Sequence, residues 1–76
     1  MEQITNSVHP DVHLIDWLGL VRAEYLELPG LHLTLPQARR LWGMDEATGD
    51  AVFAALIRDG FLRQTRSGAY VRPDAA

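Results

Sequence analysis

The stretch from Thr34 to Leu62, TLPQARRLWGMDEATGDAVFAALIRDGFL, holds two helix starts and two helix stops in close succession, and that punctuation leaves few folds open. Thr34 and Gln37 stand at T-x-x-Q spacing. The threonine hydroxyl can accept from the amide of residue 37 while the glutamine side chain reaches back to the amide of residue 34. Pro36 falls in the first turn, where a missing N–H does little harm. Leu35, Ala38, Leu41 and Trp42 then share one helical face. Gly43 stops this helix, since glycine enters the left-handed conformation without a Cβ penalty. Asp45 caps the next helix, expected over 45–59, with Gly49, Val52, Phe53, Leu56 and Ile57 turned inward. Gly60 ends it, and Phe61 can fold back onto Leu56. A helix, a short glycine turn and a longer helix is the spacing of a helix-turn-helix.

Beyond it, residues 61–65 and 69–72 are β-prone, and Arg66-Ser67-Gly68 between them suits a hairpin turn. Ahead of it, Leu31-His32-Leu33 alternates as a short strand, with both leucines inward and His32 outward. A longer helix is expected over 11–28. Its stripe is Leu14, Leu18, Val21, Tyr25 and Leu28, and Pro29-Gly30 closes it. Residues 1–10 read as a mobile leader and 74–76 as a tail. Ile15 borders the stripe, whereas Trp17 and Leu20 lie off it. Either Trp17 packs within the domain, or Trp17 and Leu20 form a homodimer or partner contact.

Four features together resemble the winged-helix family: the 34–42 helix, the Gly43-Met44-Asp45 turn, the Asp59-Gly60-Phe61-Leu62 ending and the hairpin with Gly68 at its tip. The resemblance spans residues 31–72. It implies a mainly α domain with a small β-hairpin, an α+β winged helix over 11–73 in the order helix, strand, helix, helix, strand, strand. Winged helices serve both as DNA readers and as protein-docking modules, so the fold alone does not choose a function.

Composition narrows the choice. Seventy-six residues make one small domain, and 47% hydrophobic content is that of a globular chain. With no cysteine, neither a disulfide framework nor a thiolate metal site is possible. The longest apolar run, Trp17 to Val21, is far below the roughly 20 residues that span a bilayer. The start lacks a signal-peptide pattern, so a cytoplasmic protein without membrane contact is expected. His9 and His13 are four apart, but Pro10 marks the helix start between them, and no metal site is expected. Ser7 and Ser67 have no histidine–carboxylate pair nearby, and Gly43, Gly49, Gly60 and Gly68 lack phosphate-loop spacing. The reading is a non-enzyme without a cofactor.

Charge speaks most directly to partners. The formal net charge is −3, yet residues 61–72 hold Arg63, Arg66 and Arg72 with no acid. Residues 1–30 set five acids against Arg22 alone. All seven basic residues are arginine, whose planar fork suits phosphate and carboxylate alike. In the DNA-reading members of the resembled family, the second helix of the pair enters the major groove. Here that helix would present Glu46, Ala47, Thr48, Asp50, Ala51 and Ala54, a face with more acid than a polyanion favours. Arg58 at its far end reads as a complement to the helix dipole or a partner for Asp59. The candidate contacts to double-stranded DNA are Gln37, Arg39, Arg40, Thr48, Arg63, Arg66 and Arg72. The expectation is a small DNA-binding transcriptional regulator using helix 45–59 and the wing 61–72. The alternative is a docking module whose acidic helix 45–50 meets a basic protein.

Overall fold

The computed structural model describes residues 10–73, with side chains from Leu14 onward. Of the expected leader 1–10, Pro10 is instead the first residue of the first helix, while residues 1–9, the tail at 74–76 and the side chains of His9 and His13 lie outside the described residues. The elements are α1 (Pro10–Glu27), β1 (Leu33–Thr34), α2 (Leu35–Trp42), α3 (Glu46–Arg58), β2 (Arg63–Gln64) and β3 (Ala69–Val71). The strands form one antiparallel sheet in the order β1-β3-β2. This is the expected α+β, winged-helix-like layout.

Local chemistry sets the boundaries. The Thr34 N–H donates to Gln37 Oε1 at 2.9 Å and the Gln37 N–H to Thr34 Oγ1 at 3.3 Å, so both halves of the capping box are made. Gly43 follows α2 at φ 71°. Asp45 Oδ1 accepts the Thr48 N–H at 2.8 Å and opens α3. At the other end of α3, Gly60 sits at φ 77°. Its N–H reaches the Ile57 carbonyl while the Phe61 N–H reaches that of Leu56, both at 3.0 Å, the paired bonds of a Schellman stop. The Leu62 N–H also turns back to Leu56, at 3.2 Å. With these two amides used by the helix end, β2 starts at Arg63 and not at Phe61.

Val21 and Tyr25 of α1, Ala38 of α2, Val52, Phe53 and Leu56 of α3, and the loop residues Met44 and Leu62 form the core. Burying each large apolar side chain stabilises the fold by roughly 1.5–3 kcal/mol. Leu31 and Leu33 pack against this cluster and His32 is exposed, although β1 is shorter than the alternation suggests. Three expected core positions are not buried. Leu28 (54% exposed) lies past the last residue of α1, and Leu41 (59%) falls at the edge of the α2 stripe. Ile57 (39%) is displaced because the buried face of α3 is rotated toward Ala55, by roughly 40° at about 100° per residue.

One buried polar contact joins the two ends of the fold. Tyr25 is fully buried, and its hydroxyl donates to the Tyr70 carbonyl at 2.9 Å, tying α1 to β3. Burial pushes its phenol up to about 12, against the lowering effect of a hydrogen bond from the Leu33 backbone and with a smaller rise from Tyr70. The Tyr70 ring in turn meets Phe53 at a centroid distance of 4.6 Å. Because side chains alternate along a strand, Tyr70 and its neighbour Gln64 face the helices. Val71 and its partner Arg63 face the opposite side of the sheet.

Candidate functional site

The surface that a helix-turn-helix would offer a partner is α3 with the wing beside it, and the structure assigns the expected contact residues unequal roles. Gln37 is occupied by the cap of α2, through its Oε1. Thr48 supplies both its backbone N–H and its hydroxyl to the Asp45 carboxylate. The amide and the hydroxyl, in that order, hold this carboxyl below its ordinary range, and the nearby Arg39 adds to the effect. One of the acids at the head of α3 is therefore held ionised and engaged in capping the helix.

Arg39 is half-buried between α2 and α3. A Cβ built on Gly49 would stand 2.9 Å from Arg39 Cγ and 3.3 Å from Leu35 Cδ1. Gly49 is therefore the space through which the arginine stem passes. Arg72 is also half-buried. Its guanidinium donates to the Phe61 carbonyl and lies 4.0 Å from the centre of the Phe61 ring. Arg22 approaches the same ring at 5.5 Å and pairs with Asp59 at 2.8 Å. Asp59 thus takes its partner from α1 and not from the adjacent Arg58. Phe61, at the root of the wing, is bracketed by two guanidiniums, an arrangement worth about 0.5–2 kcal/mol per cation. No local pattern in the sequence announces it, because Arg22 and Asp59 are 37 positions apart.

Arg40, Arg63 and Arg66 are exposed and make no ion pair among the described residues. Arg66 occupies the wing turn. Its conformation is set by the Gly68 N–H to the Thr65 carbonyl (2.9 Å), the Thr65 N–H to the Ala69 carbonyl (2.7 Å) and the Ala69 N–H to Thr65 Oγ1 (3.1 Å). Gly68 takes φ 93°, which closes the turn. Arg63 lies instead on the outer face of the sheet. On α3, Glu46, Ala47, Asp50, Ala51 and Ala54 are exposed as expected. Trp17 packs against the core, so the face expected for self-association reduces to Leu20, which is 41% exposed.

Among the described residues no group of three or more histidine or acidic side chains is placed to hold a metal ion. No helix among them is long and apolar enough to cross a membrane. Comparison with protein-family models, curated proteins and solved structures finds no match for this chain.

Proposed function

We propose that the chain is a small DNA-binding protein of winged-helix type, acting in the cytoplasm as a transcriptional regulator. The observation that supports this reading best is the pair of exposed guanidiniums on the helix-turn-helix and wing that make no ion pair among the described residues, Arg40 in the last turn of α2 and Arg66 on the hydrogen-bonded wing turn. Phosphate contacts position such a domain, and base edges are read only by what α3 adds. With Thr48 held by Asp45, that readout is weak, so binding is largely non-specific. Two phosphate contacts give a log–log salt slope of about −1.8, or roughly a 12-fold loss of affinity between 50 and 200 mM salt.

An amide-resolved NMR titration with a mixed-sequence duplex at low and high salt tests this. Salt-sensitive shifts on α3, at Arg40 and on the 65–68 turn are expected, with the slope approaching zero in an Arg40→Ala, Arg66→Ala variant. An unchanged slope in that variant defeats the reading.

A second reading rests on α3 itself. Glu46 and Asp50 stand exposed among alanines, a surface suited to a basic protein partner. Absence of any DNA-induced shift, together with saturable shifts on α3 from a basic peptide, would favour this docking role.

A further inference from the structure

The outer face of the wing sheet holds a concavity of about 280 Å³, set between the loop after α1 and the β2–β3 hairpin. Half-buried Leu31 and Val71 give it an apolar wall, and exposed His32, Arg63 and Ser67 stand around it. Arg72 closes one end, its guanidinium held against Phe61. In a chain of formal charge −3, this hollow is lined by two arginines and, among the described residues, by no carboxylate. The His32 ring is fixed too, its Nδ1–H donating to the Gly30 carbonyl at 3.2 Å.

The sheet separates this hollow from α3. Tyr70 faces the helices and packs on Phe53, while Val71 and Arg63 face away. The concavity therefore lies apart from α3, Arg40 and Arg66, meets the wing turn only at Thr65 and Ser67, and takes in Arg63. Its volume lies just under the roughly 300–1,000 Å³ of typical ligand pockets, which suits a small molecule and not a polymer.

We propose that this pocket binds a small organic anion, with a carboxylate or phosphate head on Arg63 and an apolar body against Leu31 and Val71. Arginine's fork accepts either head, and charge-assisted hydrogen bonds are about twice as strong as neutral ones. His32 and Arg72 are already held, so the charged side chain left to be ordered on binding is Arg63.

The test is an NMR titration of the whole chain with three probes of matched body: benzoate, phenyl phosphate and the neutral benzyl alcohol. Saturable shifts at Leu31, His32, Arg63 and Val71 are expected with at least one anion, at millimolar affinity or better. Benzyl alcohol should bind at least about tenfold more weakly, as should the preferred anion to Arg63→Gln. The stronger of the two anions identifies the head. Arg63 is exposed, so the variant keeps its fold, and Arg66→Gln, outside the pocket, should bind the anion as the wild type does. No saturation by about 10 mM of either anion, an equal response to benzyl alcohol, or indifference to Arg63→Gln would overturn the proposal. None of these outcomes depends on DNA. A duplex that shifts Arg40, Arg66 and α3 alone leaves the DNA reading intact while the pocket fails, and the reverse pattern separates them the other way.

Discussion

Replacing Tyr25 by phenylalanine removes one oxygen from the interior and tests the link between α1 and the sheet. The hydroxyl donates to the Tyr70 carbonyl and accepts from the Leu33 backbone, in a residue with no solvent exposure. Phenylalanine keeps the ring but leaves these main-chain groups short of a partner, at about 1–3 kcal/mol. For a domain of this size that is a fall in Tm of roughly 4–24 °C. The pH dependence gives a second, independent reading. The phenol sits at about 12 in the folded protein against 10.0 for the free side chain. The unfolded chain therefore releases its proton first. The stability from this group is complete below pH 10 and drains away as pH rises through 12. Two pH units correspond to about 3 kcal/mol, as an order of magnitude. Urea unfolding at pH 8 and pH 11.5, followed by tryptophan fluorescence, measures both effects. The wild type should lose more stability than Tyr25→Phe over this interval, so the two curves converge in alkali. A variant as stable as the wild type at pH 8, or parallel alkaline losses, would refute the assignment of Tyr25 as the clamp.

Gly60→Val should lower stability by at least about 1–2 kcal/mol in thermal melts, because a β-branched residue is forced to φ 77°; an unchanged Tm would count against the left-handed stop. Gly49→Ala should destabilise the wild type, since the new methyl meets the Arg39 stem at 2.9 Å. In an Arg39→Ala background the same change should be far better tolerated, as the helix-propensity gain of about 1 kcal/mol re-emerges. A double-mutant cycle with no coupling would argue against that contact. Asp45→Asn keeps a good cap but removes a carboxylate whose folded value is depressed. Its stabilising effect is present above the unfolded value of 3.8 and lost as pH falls through the folded one. The acid limb of an unfolding titration should therefore be shallower in the variant, and identical limbs would exclude the effect.

What the sequence disclosed and what it hid follow from the range of the forces involved. The T-x-x-Q box, the Asp45 cap and the stops at Gly43 and Gly60 act within a few residues, and all four were legible. Stripes told which helical face is apolar but not how far neighbours cover it. Leu28, Leu41 and Ile57 therefore proved exposed, while the small Ala55 was buried. The candidate contacts suffered from a different ambiguity, because a polar side chain that can read a base can also serve its own backbone. Gln37 and Thr48 are used that way, and Arg72 is bound to the Phe61 carbonyl and ring. The Arg22–Asp59 pair and the placement of Arg63 opposite the helices depend on tertiary closure, which no local pattern records.

The pairing of β1 with β3 has a consequence for how the chain acquires its shape. Leu33 lies opposite Tyr70, so the middle strand of the sheet comes from the last element in the sequence, and the Tyr25 bond also requires it. The capped helices can flicker into existence early, since their contacts are local. The loop between β1 and β3 must close before sheet or clamp contributes anything, and that entropy is lost in advance of any return. A growing polypeptide released before Ala69 would own its helices and most of its core residues without the piece that locks them. Acquisition of structure is thereby expected to be nearly all-or-none and to follow completion of the hairpin. Shortened chains ending ahead of β3 should behave as loose helical ensembles and not as smaller versions of the domain.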